Sequence, residues 1–228
     1  MSNMETTRTF ISVEGNIGSG KSTLLANLEA TLKGSTSIVF LQEPVDEWAT
    51  ITDSHGKTML EKFYENQEAY SFSFQMMAYI SRLAALKRAV HEYPEATVFI
   101  TERSLDTDKY VFAQMLFDDN KMEDVHFQIY RKWFDAFTCD FPISKRIYVK
   151  TNPEICYERI AKRSRNGEST ISLDYLQSCH NYHEKMMSQS HATMLELNGN
   201  IDIFEKIDIL EEWIQTIISF ATPSNESI

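Results

Sequence analysis

The chain has 228 residues, 43% of them apolar, which suits one domain with a core of ordinary size. A formal net charge of −11 and a pI near 5.0 argue against duplex DNA, RNA or an anionic membrane as the main partner, so any phosphate chemistry must rest on a local basic patch. Cys139, Cys156 and Cys179 are odd in number and show no C-x-x-C spacing, which fits free thiols in a reducing compartment. No run is long and apolar enough to span a membrane, and too few residues precede the first strand-like run for a signal or transit peptide. The expected location is the cytoplasm.

In chain order, strand-like runs are predicted at 9–14, 37–41, 97–101, 146–150 and 201–204, each short and nearly all apolar. Helical patterns separate them over 67–93, 122–137, 153–164, 172–197 and 207–220. Short apolar strands alternating with helices are the mark of a parallel sheet covered on both faces, hence an α/β, doubly wound fold with five strands. Residues 159–170 carry a basic helix end and a polar loop, the pattern of a lid. The polar end, about 221–228, reads as a frayed tail.

The first strand runs into Gly15-Asn16-Ile17-Gly18-Ser19-Gly20-Lys21-Ser22-Thr23, which matches G-x-x-x-x-G-K-[ST] at every fixed position. Glycines at 15, 18 and 20 let the backbone turn its N–H groups onto phosphate oxygens. Lys21 would reach the terminal phosphates and the Ser22 hydroxyl would hold Mg²⁺, so a nucleoside triphosphate is the expected ligand. In doubly wound folds the chemistry gathers at the carboxyl ends of the strands. There the second strand runs into Glu43 and the third into Glu102-Arg103-Ser104. Glu43 is the best candidate for a base on an acceptor hydroxyl, and Glu102 is placed to hold a metal-bound water. Arg159, Lys162, Arg163 and Arg165 supply positive charge for migrating phosphate within two helical turns.

Several motifs in order, GNIGSGKST at 15–23, EPVDEW at 43–48, FYENQEAYSFSFQ at 63–75, ERSLDTDKYVF at 102–112, RIAKRSRNGE at 159–168 and LDYLQSCHNYHE at 173–184, resemble the deoxyribonucleoside kinase family. The resemblance is to its deoxycytidine, deoxyguanosine and deoxyadenosine branch and runs from about Phe10 to Met187. It implies transfer of the γ-phosphoryl of ATP to the 5′-hydroxyl of a deoxyribonucleoside, within a single kinase domain over 1–228. By the same resemblance Glu43 is the general base, Arg103 bridges that base and the phosphate, and Ser22 and Glu102 share the Mg²⁺. Arg163 and Arg165 would meet the donor phosphates, and Arg159 would pack on the donor base. Tyr64 and Glu184 match residues that bind the sugar 3′-hydroxyl. His180 and His183 beside Glu184 lack the full spacing of a zinc helix, and a metal site there is rejected.

Gln75 matches the glutamine that reads the base edge, with Phe74 and Phe112 lining or sandwiching the base and Trp48 and Leu60 closing the pocket. Phe63, Met76 and Met77 are expected as adaptable walls. Ala78, Arg82 and Asp108 should discriminate. A carboxylate accepts hydrogen bonds and suits an exocyclic amino group, whereas thymine would present an acceptor to it. Deoxycytidine, deoxyadenosine or deoxyguanosine is the expected acceptor, in nucleotide salvage. Two alternatives are a thymidylate-type monophosphate kinase, which the acidic acceptor side disfavours, and a non-catalytic family member acting as a complex subunit. By analogy a homodimer is expected, with apolar surface of the helix 67–93 as part of its interface.

Overall fold

The computed structural model describes residues 8–163 and 168–222. Five strands, β1 (Thr9–Glu14), β2 (Ile38–Leu41), β3 (Val98–Glu102), β4 (Ile143–Lys150) and β5 (Thr193–Asn198), form one sheet in the order β2-β3-β1-β4-β5. Every pairing is parallel. β1 lies between β3 and β4, and its apolar run Phe10–Val13 is buried on both faces. Central strands of this kind need crossover helices, and the chain supplies them.

On one face, α1 (Lys21–Thr31) and α9 (Ile207–Ala221) cover the sheet through Leu24, Leu25, Leu28, Trp213, Ile214 and Ile217. On the other, α4 (Gln67–Glu92) and α6 (Asp124–Phe137) pack Tyr79, Leu83, Leu86, Tyr130 and Phe134 against Phe10 and Phe99. Burying one such side chain is worth roughly 1.5–3 kcal/mol, so these two layers dominate stability. The short helices α2 (Val45–Ala49) and α3 (Met59–Glu65) wall the far end of α4. α3 begins with a capping box, in which Thr58 accepts from the Glu61 backbone and Glu61 accepts from that of Thr58. After β3 come a π-helical stretch at Thr107–Ala113 and α5 (Gln114–Asp118). α7 (Pro153–Arg163) follows β4, and α8 (Leu173–Ser188) leads into β5.

Two expected elements are wrong. The helix expected over 172–197 ends at Ser188, and the fifth strand is Thr193–Asn198 rather than 201–204. β5 pairs only with β4, so it is an edge strand whose alternating Thr-Met-Leu-Glu-Leu-Asn need bury only part of one face. A search for continuous apolar runs passes over such a strand. At 201–204 the Asp202 side chain accepts from the Phe204 backbone at 2.9 Å, and an aspartate bonding two residues ahead makes a turn. Of the apolar α4 residues expected to supply an interface face, Phe74, Met77, Ala78, Leu83 and Leu86, four are buried in the core and Met77 is partly buried. Among the described residues no helix is long and apolar enough to cross a membrane. Arg165 and the expected tail from 223 onward lie outside the described residues.

Candidate active site

The segment 15–20 joins β1 to α1 through glycines at positive φ, +145° at Gly15, +79° at Gly18 and +100° at Gly20. A side chain at Gly18 would bring its Cβ within 2.7 Å of the Cys156 carbonyl oxygen, so only glycine lets the loop lie this close to α7. Asn16 stitches the loop together, accepting from the Ile17 backbone at 2.8 Å and donating to the Leu176 carbonyl of α8 at 2.8 Å. Lys21 is buried and donates from Nζ to the Asn16 carbonyl at 2.7 Å. Burial and the nearby Arg103 guanidinium lower its ammonium to about 7.

The Ser22 hydroxyl donates to Glu102 Oε1 at 2.7 Å, joining the start of α1 to the end of β3. These two hard oxygen donors, side by side at the mouth of the loop, fit Mg²⁺, which takes few protein ligands and fills its octahedron with waters and phosphate oxygens.

Beyond Glu102 the backbone turns sharply. Arg103 sits at φ +62°, a left-handed conformation that costs a non-glycine residue roughly 1–3 kcal/mol. A buried polar cluster just past it holds the turn in place. The Ser104 and Thr107 hydroxyls donate to the fully buried Glu14 at 2.6 and 2.5 Å, and Arg146 reaches Glu14 at 3.2 Å. Arg146 also pairs with Asp106. Arg103 Nη1 donates to the Gly15 carbonyl at 2.9 Å, and its guanidinium lies 4.9 Å from the Phe112 ring centre.

Glu43 meets two guanidinium groups, Arg103 Nε at 3.3 Å and Arg82 Nη2 at 3.0 Å. Although burial works the other way, Arg103, Arg82 and Lys21 together hold its carboxyl down at about 2. Arg82 donates in addition from Nε to Asp108 Oδ2 at 2.9 Å and from Nη1 to the Glu102 carbonyl at 2.6 Å. Burial raises the Asp108 carboxyl to about 6, with Arg82 pulling against it.

These groups line a cavity of about 450 Å³. At one end are residues 17–23, Arg159, Lys162 and Arg163. At the other are Trp48, Leu60, Tyr64, Phe74, Gln75, Ala78, Arg82, Asp108 and Phe112, with Glu43, Glu102 and Arg103 also on the wall. Gln75 is buried, and its Oε1 has no hydrogen-bond partner among the described residues. A buried amide oxygen left bare costs about 1–3 kcal/mol, so a ligand donor would relieve it. Phe74 stacks on Phe63 at 4.5 Å and meets Trp48 edge-on at 5.8 Å, forming an aromatic box.

Some expected site residues are elsewhere. Glu184 is absent from the cavity wall. It accepts from the Tyr148 hydroxyl at 2.7 Å and from Lys150 Nζ at 2.8 Å, both on β4. Met76 packs in the core between α4 and the sheet, and Met77 behind the aromatic box, so only Phe63 of the three expected walls reaches the cavity. Arg159 lines the cavity but donates to the carbonyls of Gly199 at 2.8 Å and Ile201 at 3.1 Å. Arg163 forms a two-pronged ion pair with Glu168, at 2.6 and 3.0 Å.

Sequence reasoning missed Glu168, which is buried, lines the cavity, and lies close enough to Tyr64 to disfavour its ionisation. Tyr175 and the turn 201–204 also line the cavity and were missed, the latter because it was read as a strand.

The Deoxynucleoside kinase family model matches residues 11–220. The chain is 33% identical over 218 residues to a protein named "Probable deoxycytidine kinase" of Fowlpox virus (strain NVSL), covering 92% of this chain and 87% of that one. It is 33% identical over 219 residues to deoxycytidine kinase of Homo sapiens, covering 88% and 81%. Similarity to mitochondrial thymidine kinase 2 of Macaca fascicularis is 34% over 229 residues, covering 97% and 81%. The chain belongs to the deoxynucleoside kinase family, and its activity is ATP-dependent phosphorylation of a deoxynucleoside.

Proposed function

We propose that the enzyme transfers the γ-phosphoryl of ATP to the 5′-hydroxyl of deoxycytidine or a purine deoxynucleoside. The observation that carries the choice of acceptor is the Arg82–Asp108 pair, buried in the wall of a cavity that Gln75 also lines, with its Oε1 bare among the described residues. A carboxylate held by one guanidinium still has lone pairs for an exocyclic amino group, and thymine offers an acceptor in its place. An unpaired buried polar group costs about 1–3 kcal/mol, which corresponds to roughly ten- to hundredfold discrimination.

In this reading the donor phosphates lie on residues 15–23, with Lys21, Arg163 and Arg165 neutralising charge. Ser22 and Glu102 would hold Mg²⁺, which when bound would offset negative charge developing on the transferring phosphoryl. Glu43 orients the 5′-hydroxyl and takes its proton as the new O–P bond forms and the bond from Pγ to the β–γ bridging oxygen breaks, releasing ADP. The low pKa of Glu43 keeps it ionised across the working pH range, so it takes the proton only once the attacking hydroxyl has turned acidic in the transition state. Arg103, held between Glu43 and the phosphate loop, follows the transferring group. Tyr64 and Glu168 are the polar groups beside the sugar, in place of the expected Glu184.

A homodimer is supported by a stripe on α6, where Val125, Ile129, Trp133 and Phe137 recur every four residues and are all substantially exposed. Three free cysteines favour a reducing compartment such as the cytoplasm.

The test is steady-state phosphorylation with ATP–Mg²⁺ against deoxycytidine, deoxyadenosine, deoxyguanosine and thymidine. Turnover preferring an amino-bearing base supports the reading; preference for thymidine would overturn the acceptor assignment.

A further inference from the structure

His183 lies on α8, fully buried and outside every expected role, yet it faces the site through one bond. Its Nδ1 is 2.7 Å from the Cys179 carbonyl oxygen, one helical turn back. A carbonyl can only accept, so Nδ1 carries the hydrogen. In the neutral ring that leaves Nε2 as a bare acceptor, and Nε2 lies 3.4 Å from Arg103 Nη1. The Phe112 ring meets the imidazole edge-on at 6.1 Å, closing the same side.

We propose that His183 is a positioning residue for Arg103: its Nδ1–H tautomer, fixed by the Cys179 carbonyl, presents Nε2 to Nη1 and sets the rotation of the guanidinium. Arg103 Nη1 then has two acceptors, Gly15 O and His183 Nε2, one for each of its hydrogens. Nε remains beside Glu43, and Nη2 has no hydrogen-bond partner among the described residues while Arg103 lines the cavity. The end of the fork available to a phosphoryl group is therefore selected by an imidazole that never touches substrate. Burial and the Arg103 charge lower the ring to about 3, which agrees with a neutral acceptor. The inference rests on the proposed role of Arg103.

The test combines a spectrum of the intact enzyme with kinetics. Nitrogen NMR of the imidazole should show protonated Nδ1 and bare Nε2; an Nε2–H tautomer or a doubly protonated ring overturns the proposal whatever the variants do. His183→Phe keeps the bulk and removes the acceptor, and should lower kcat about ten- to hundredfold with little change in KM for the nucleoside. His183→Gln, which returns an acceptor near the Nε2 position, should recover most of that loss. In an Arg103→Lys background His183→Phe should add almost nothing. An equal loss in both backgrounds, or no loss of kcat in His183→Phe, overturns the proposal. If Arg103→Lys alone leaves kcat unchanged, the role of Arg103 falls and this inference with it. If Arg103→Lys is impaired while His183→Phe is not, only the inference falls.

Discussion

Arg82 Nη2 lies 3.0 Å from Glu43 Oε1 while Arg82 Nε holds Asp108 Oδ2 at 2.9 Å. One guanidinium thus links the carboxylate proposed to read the base to the carboxylate proposed to meet the 5′-hydroxyl. Asp108→Ala should relax selection against thymidine by about ten- to hundredfold in kcat/KM, with the ratio of deoxycytidine to thymidine as the readout. Arg82→Met should do worse than relax selection. It strands the buried Asp108 carboxylate and leaves Glu43 with Arg103 as its one guanidinium neighbour, and kcat for every nucleoside should fall with it.

Acidity should blunt the same selection. Burial raises Asp108 to about 6, so below that pH its carboxyl gains a proton and can donate as well as accept. The deoxycytidine-to-thymidine ratio of kcat/KM, a property of the free enzyme, should fall as pH drops through about 6 and be flat above about 7. A ratio constant from pH 5 to 8 would remove Asp108 from discrimination.

Glu43→Gln preserves shape and removes the charge. Loss of a positioned base typically costs about 10²–10⁴ in rate, so kcat should fall by that order while equilibrium binding of ATP persists. The carboxyl is depressed to about 2 from 4.5, so in the wild type it adds stability above its unfolded value and loses it as pH falls toward the folded one. The variant should accordingly show a lower Tm at neutral pH and a smaller gap from wild type near pH 2–3.

The Ser22–Glu102 pair makes a prediction about metal. Ser22→Ala and Glu102→Gln should each raise the Mg²⁺ concentration needed for half-maximal rate, and chelation should stop turnover by the wild type. An unchanged Mg²⁺ dependence in both variants would exclude this pair as the site.

Four of five strands were legible because each carries a mostly apolar run, as Phe10–Val13 in β1, Ile38–Leu41 in β2 and Val98–Ile100 in β3 show, whether the strand is central or, like β2, at an edge. The edge strand Thr193–Asn198 was not, since only Leu197 in it is buried. The phosphate loop could be read because its geometry requires glycine at fixed places. Glu184 was misassigned because neighbouring carboxylates on a polar segment look alike in sequence; only folding shows that Glu184 turns to Tyr148 and Lys150 while Glu168 enters the cavity. Bonds such as Arg82 to Glu43, between residues 39 apart, leave no local pattern at all.

Arg159 reaches across to the turn after β5, and both of its bonds there end on main-chain carbonyls, those of Gly199 and Ile201. A clasp made on the backbone is blind to side-chain identity. The exposed Phe204 side chain is therefore free to drift through evolution or be redesigned while α7 keeps its anchorage, whereas buried Ile203 and the turn-making Asp202 are not. That end of the cavity can change its taste in ligands without the enzyme having to relearn how to close it.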